Sequence, residues 1–235
     1  MIMQTAMLLN GRRFSARYSG PKADLIYLGS EFCQNLLPGP AEFGRALKLF
    51  KKRVILVTPF MTDPFIRKAE AVIREYAAVD ERLEIVANDL GLIHLVRQKY
   101  AAKVQLSLGR VLGHALKSSG CAFMTKFFAE NGITRLEADS RELLDDYGRF
   151  PRLSRSYHIP YSYMGITRFC PWEKIWTGEK CGFTCLGGGK KLSSGLLPRP
   201  LHLINSGYFA PGIRPAGNWQ IDRIVYQPPV HHPPR

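Results

Sequence analysis

Five times between residues 23 and 147 a short apolar segment gives way to a stretch with helical spacing. The apolar segments are 23–29 (ADLIYLG), 53–58 (RVILVT), 83–87 (LEIVA), 103–108 (KVQLSL) and 133–138 (ITRLEA). RVILVT is almost wholly β-branched or leucine after its first residue, the composition of a parallel strand covered on both faces. The helical stretches are 41–52, 64–78, 92–100, 121–131 and 141–147. In the first of these Phe43, Ala46, Leu47 and Phe50 share one face, and Ser140 is placed to cap the last. Such alternation predicts an α/β fold around a parallel sheet. Five units favour a partial or distorted TIM-like (β/α) barrel, with a doubly wound sheet as the alternative.

The pattern changes after Phe150. Residues 157–164 (YHIPYSYM) read as one strand interrupted by Pro160, and 201–204 and 221–226 read as late strands. Residues 170–195 are rich in cysteine, glycine and lysine and have too few apolar residues to fold unaided. The expected organisation is one α/β domain over 1–226 and a flexible proline-rich tail, 227–235. No repeat or heptad pattern interrupts it.

The chain has 235 residues, 46% of them hydrophobic, enough for one sizeable core. No apolar run has the length of a membrane span, and the start lacks the basic-then-apolar order of a secretory leader. The expected location is the cytoplasm. The formal net charge is +14, and from Gly148 onward twelve Lys or Arg face three acids, Glu173, Glu179 and Asp222. That region suits RNA, an acidic partner or an anionic substrate, or is simply a solvated basic surface.

Five cysteines at irregular spacing, in a reducing compartment, point to metal ligation or catalysis before disulfides. Ten residues separate Cys170 from Cys181 and three separate Cys181 from Cys185. Glycines at 182, 187, 188 and 189 let the backbone bend around a bound group. Cys33 follows the first apolar strand, at the end where parallel α/β folds place functional loops. Four thiolates suit a structural zinc or a [4Fe–4S] cluster, and their spacing leans toward iron without separating the two. The competing reading is that they are small buried hydrophobes. Cys121 heads an apolar helix and reads as a core residue.

Asn88 and Asp89 end a buried strand. They either reach a pocket or cap the following helix. Glu137 and Asp139 hold the same place on the next-but-one strand, with cation binding, acid–base work or turn capping open to them. Arg168 stands two residues before Cys170 and would offset cluster charge or bind an anion, or be an ordinary surface arginine. Asn88, Asp89 and Arg168 are the candidate catalytic residues. His158, Tyr161 and Tyr163 precede the cysteine-rich segment. His202 and Asn205 read as structural and His94 as a helix-surface residue, while His231 and His232 give no functional reading. The chain has no Walker A loop, dinucleotide-binding glycine set, HExxH or CxxxCxxC motif.

The stretches ADLIYLGSEFC (23–33), LEIVANDLGLIHL (83–95), YSYMGITRFC (161–170), CGFTC (181–185) and LHLINSGY (201–208) together resemble the U32 peptidase family, most closely its UbiV-like branch. The resemblance spans roughly residues 20–226. It implies a [4Fe–4S] cluster on Cys33, Cys170, Cys181 and Cys185, and a place in oxygen-independent hydroxylation during ubiquinone biosynthesis as half of a heterodimer of U32 subunits. It also implies prephenate as oxygen donor. Other relatives take part in hydroxylating tRNA or ribosomal RNA, so RNA is an alternative substrate beside an anionic or aromatic small molecule. A metal-bearing structural subunit without turnover is a third reading. No Ser–His–Asp or Cys–His arrangement suggests proteolysis.

Overall fold

The computed structural model describes residues 3–12, 14, 23–77, 83–215 and 219–228. Its first half alternates strongly: β1 (Gln4–Leu9), β2 (Leu25–Gly29), α1 (Pro40–Phe50), β3 (Arg53–Val57), α2 (Asp63–Tyr76), β4 (Leu83–Ala87), α3 (Leu90–Lys99), β5 (Val104–Leu108), α4 (Arg110–Leu116), α5 (Cys121–Asn131), β6 (Ile133–Ala138), α6 (Arg141–Tyr147) and β7 (Ser154–Ile159). Then follow β8 (Tyr161–Ile166), β9 (Phe169–Cys170), β10 (Ile175–Trp176), β11 (Lys190–Leu192), β12 (Leu201–Ile204), β13 (Gly207–Pro211) and β14 (Arg223–Tyr226).

Eight strands close a barrel in the order β1-β14-β7-β6-β5-β4-β3-β2, and each neighbouring pair is parallel. The α/β, TIM-like expectation holds; the partial barrel and the doubly wound sheet do not. Two strands complete the circle. β1 arises from QTAMLL, whose flanking Gln4 and Asn10 hide it from a periodicity reading. β14 returns from the far end of the chain to pair with both β1 and β7. A closed barrel has no free edge strand.

Residues 157–164 are two strands, not one. Pro160 has no N–H to give a ladder, and the Ile159–Pro160 peptide is cis. The chain leaves the barrel there and enters a four-stranded antiparallel sheet, β11-β12-β13-β8. β9 and β10 form a separate hairpin. All of this lies between β7 and β14, on the side of the barrel where the strands end.

Alternation along the strands sorts the core into two layers. Met7, Ile26, Val54 and Leu56 face outward against Phe43, Val72, Leu92 and other helix residues. A second cluster contains strand residues alone: Ala6, Leu8, Leu25, Tyr27, Ile55, Val57, Val86 and Val225. These fill one half of the barrel interior. Glu84, Ser107, Arg135, Glu137, Ser156 and His158 occupy the other half, all buried.

Helix ends follow the expected chemistry. Asp89 caps α3, accepting from Leu92 N at 3.0 Å, and Ser140 caps α6, accepting from Leu143 N at 3.2 Å. Gly29 ends β2 at φ +133°, where a Cβ would stand 2.1 Å from the Val57 carbonyl oxygen. Among the described residues, no helix is long and apolar enough to cross a membrane. The expected tail falls outside the described residues from 229 onward.

Candidate metal centre and barrel mouth

Because the barrel strands are parallel, the segments that follow them meet at one mouth. Cys33 arrives there four residues beyond β2, at the start of a short 3-10 turn over Gln34–Leu36. Cys170 ends β9. Cys181 and Cys185 come from the turn after β10, the latter within a 3-10 turn over Thr184–Gly187. Cys33, Cys170 and Cys185 are buried and Cys181 is half-buried. Cys33, Leu36 and Cys185 form one small apolar cluster with Trp172, Phe183 and Leu186 against it.

The four sulfurs feel one another. Burial, and then the neighbouring sulfurs of Cys33, Cys170 and Cys181, push the Cys185 thiol up to about 12. Burial also raises Cys33, against hydrogen bonds from the Asn35 and Leu36 amides and the Ser206 hydroxyl. Phe183 N donates to Cys181 Sγ at 3.3 Å. Amides aimed at sulfur are what a ligating thiolate needs from its surroundings. Among the described residues, no group of three or more His, Cys, Asp or Glu is set to hold a single metal ion.

Cys121 is exposed at the start of α5, where Met124 and Phe128 supply the buried face. The core role expected for it is wrong. A helix's first residue can point away from its apolar stripe, and here it does. Nothing links Cys121 to the other four cysteines.

Beside the cysteines lies a buried charge cluster. Arg110, fully buried, follows β5 and Gly109. Its backbone N donates to Glu31 Oε1 at 2.7 Å and its Nε to Glu31 Oε2 at 2.6 Å. Its Nη1 reaches Asp139 Oδ2 at 3.4 Å, and its guanidinium lies over the Phe32 ring at 5.0 Å. Nη2 sits 2.6 Å from Glu31 Oε2 but off the line of a hydrogen bond. Burial opposes the Arg110 charge, yet Glu31 and Asp139 outweigh it and raise its pKa. Burial likewise opposes ionisation of Asp139, but His114, Arg110 and the Tyr163 amide hold its pKa below the ordinary value. His114 Nε2 is 3.0 Å from Asp139 Oδ1. Deeper in the barrel, His158 Nε2 stands 2.8 Å from Glu137 Oε2, and Tyr27 Oη donates to Glu137 Oε1 at 3.1 Å. Glu137 and Asp139 are therefore buried partners of His158, Tyr27, Arg110 and His114, and the cap of α6 is Ser140 instead.

Asn88 and Asp89 sit within this framework. Asn88 Nδ2 donates to Thr58 O and Glu31 Oε1, and its Oδ1 accepts from Val111 N and Leu112 N. Asp89, besides capping α3, accepts from Met61 N at 3.0 Å. Arg168 stands apart, exposed, with its guanidinium 4.9 Å from the Phe60 ring centre. The three candidate catalytic residues thus do not form one cluster: two are built into the mouth and one is at the surface. His94 is exposed on α3 as expected. His202 lies 5.3 Å from the Tyr161 ring, and Asn205, at φ 54°, makes the turn from β12 to β13.

Sequence reasoning missed Glu31, Arg110 and His114, and also the helix α4 that carries the latter two. A signal was available. Glu31 and Arg110 each come just after a glycine that ends a strand, a position that in a parallel barrel lies at the mouth.

No protein-family model matches the chain, and no curated protein matches it. Among solved structures, that of the U32 peptidase Mk0906 is similar at a TM-score of 0.55 and 12% sequence identity, covering 99% of this chain and 95% of that one. The chain therefore shares the fold of a U32 peptidase.

Proposed function

We propose that this is an iron–sulfur protein of the U32 family in which Cys33, Cys170, Cys181 and Cys185 hold a [4Fe–4S] cluster. The observation that carries the reading is the convergence of four cysteines, from three separate stretches of chain, on one end of a closed barrel. The residues around them fit such a group: an apolar wall from Leu36, Trp172 and Leu186, and an amide donating to the Cys181 sulfur.

When bound, the cluster supplies one-electron chemistry. The chain's own residues do the rest. The apolar wall keeps water from the sulfurs. The Glu31–Arg110–Asp139 cluster fixes the loops that frame the mouth. The Glu137–His158 pair keeps a buried imidazole in one orientation. Hydroxylation without oxygen, in ubiquinone biosynthesis and beside a second U32 subunit, rests on the family resemblance. So does the choice of an anionic or aromatic small molecule as substrate.

Anaerobic purification or reconstitution tests the cluster. About four iron and four sulfide per chain are expected. Protein that takes up no iron, or one zinc instead, would refute it. A second reading, a factor for RNA hydroxylation, is favoured by the twelve basic residues after Gly148. RNA binding that weakens steeply with salt would favour it over a small-molecule substrate.

A further inference from the structure

The cysteine-rich segment is not held uniformly. Gln34, next to Cys33, donates from Nε2 to the Thr177 carbonyl at 2.7 Å, while its Oε1 accepts from Thr62 N at 2.9 Å. Asn35 donates from Nδ2 to the Glu179 carbonyl at 3.2 Å, and its Oδ1 accepts from Gly178 N at 2.8 Å. These side chains lock the end of the β9–β10 hairpin onto the loop that carries Cys33. The fit is close: at Gly178, φ +110°, an added Cβ would stand 2.8 Å from Gln34 Nε2. The hairpin is tied internally as well, by Lys174 N to Cys170 O and Thr177 N to Arg168 O, both 2.8 Å. None of these bonds involves a metal.

The turn bearing Cys181 and Cys185 is held differently. Phe183, Cys185 and Leu186 pack against Cys33 and Leu36, and Arg12 lies over the Phe183 ring, but the turn's hydrogen-bonded tether is Glu173, whose Oε1 accepts from Thr184 N at 2.9 Å and from Thr184 Oγ1 at 2.5 Å. That contact is solvent-exposed, where hydrogen bonds compete with water. Burial favours the first pair of cysteines over the second, since Cys181 is half-buried.

We infer that the site is assembled in two halves: Gln34 and Asn35 are positioning residues that fix Cys170 beside Cys33 before any metal arrives, and the Cys181–Cys185 turn closes over it, latched by Glu173 on Thr184. The inference rests on the cluster reading for what is closed in, but not for the order of the halves. A preformed pair gives the incoming group two ligands already in place. A turn with one exposed tether leaves a way in.

Hydrogen exchange on the metal-free protein tests the order of the halves whether or not iron ever binds. The amides of Lys174, Thr177 and Gly178 should exchange at least tenfold more slowly than those of Phe183 and Thr184. In Asn35→Ala the Gly178 amide should lose that protection. Equal exchange of hairpin and turn in the metal-free wild type, or an unchanged Gly178 amide in Asn35→Ala, would overturn the inference. Iron and sulfide content of the wild type judges the cluster reading separately. With the cluster loaded, Asn35→Ala should take it up severalfold more slowly and show an altered electron paramagnetic resonance spectrum, which lost stability alone would not produce. Glu173→Gln should keep the hairpin protected and the spectrum unchanged, yet lose iron to a chelator severalfold faster. Should Asn35→Ala fail to fold, Asn35→Asp is the second variant. It keeps the acceptor for Gly178 N, removes the donor to Glu179, and should expose the Glu179 side of the turn alone.

Discussion

Glu84 and Arg223 reach each other across the barrel, Arg223 Nη1 to Glu84 Oε1 at 2.5 Å and Nη2 to Oε2 at 3.2 Å, from strands β4 and β14 that stand four places apart in the ring of eight. They are diametrically opposite, so the pair spans the interior near its floor. Arg135 and Arg53 also approach the Glu84 carboxylate. Replacing Glu84 with Gln leaves these guanidiniums without their buried counter-charge. Unfolding in urea should show a loss of about 3–5 kcal/mol. A double variant that also removes Arg223 should recover part of the loss, because the two act as a pair.

Acid should weaken the fold in a definite window. Burial works against the Glu84 carboxylate, but Arg223, Arg135 and Arg53 outweigh it and hold its pKa below the ordinary value. Asp139 and Asp222 are lowered as well, the latter by Arg135 against its burial. A carboxylate with a depressed folded-state pKa contributes stability that is complete above the unfolded value, about 4, and is lost as pH falls through the folded one. The urea midpoint should therefore be steady near neutrality and drop below about pH 4. In Glu84→Gln the drop should be shallower. A midpoint that rises on acidification would contradict the assignment.

The cysteines divide four against one. Cys121→Ser should leave iron content and stability unchanged, since the side chain is exposed. Serine at 33, 170, 181 or 185 should each reduce iron after anaerobic reconstitution. Loss of iron in Cys121→Ser to the same degree would sink the four-ligand assignment.

Asn88 offers a test of architecture against chemistry. Its amide satisfies the Thr58 carbonyl and the Val111 and Leu112 amides at once. Asn88→Ala should cost on the order of 2 kcal/mol in stability through groups left unpaired. Arg168→Ala, by contrast, should stay within about 0.5 kcal/mol of the wild type, because the side chain is exposed. If Arg168 serves the redox site, its removal shifts the cluster's midpoint potential while the melting temperature holds.

Much of the barrel was legible before its coordinates. β2 and β3 are nearly continuous apolar runs, which parallel strands buried on both faces require, while β4, β5 and β6 break theirs with Glu84, Gln105, Ser107, Arg135 and Glu137. β1 escaped, and β7 was read only from Tyr157 onward, for physical reasons. QTAMLL is short and begins polar, and SRSYHI turns Ser156 and His158 into an interior that is itself polar on that side. The four cysteines were readable because their residue type is rare and their turn is glycine-rich. Gln34, Asn35 and Glu173 were not, since hydrogen bonds between distant loops leave no periodic trace. Residues 170–195, too poor in apolar side chains to fold unaided, are held in part by side-chain amides that bind the hairpin to the Cys33 loop and by the sheet that takes in β11.

β7 and β14 lie side by side, with Arg223 opposite Ser156 and Tyr226 opposite Ile159, although more than sixty residues of chain separate them. β14 stands between β1 and β7 and closes the ring. During synthesis, then, the ring must stand open until the last strand has left the ribosome. By that time the cysteine-bearing excursion is already complete and has its two ends brought together by the closing strand. The same geometry makes the excursion an exchangeable cassette. Its length and chemistry can change between fixed neighbouring gateposts, while the staves of the barrel keep their places.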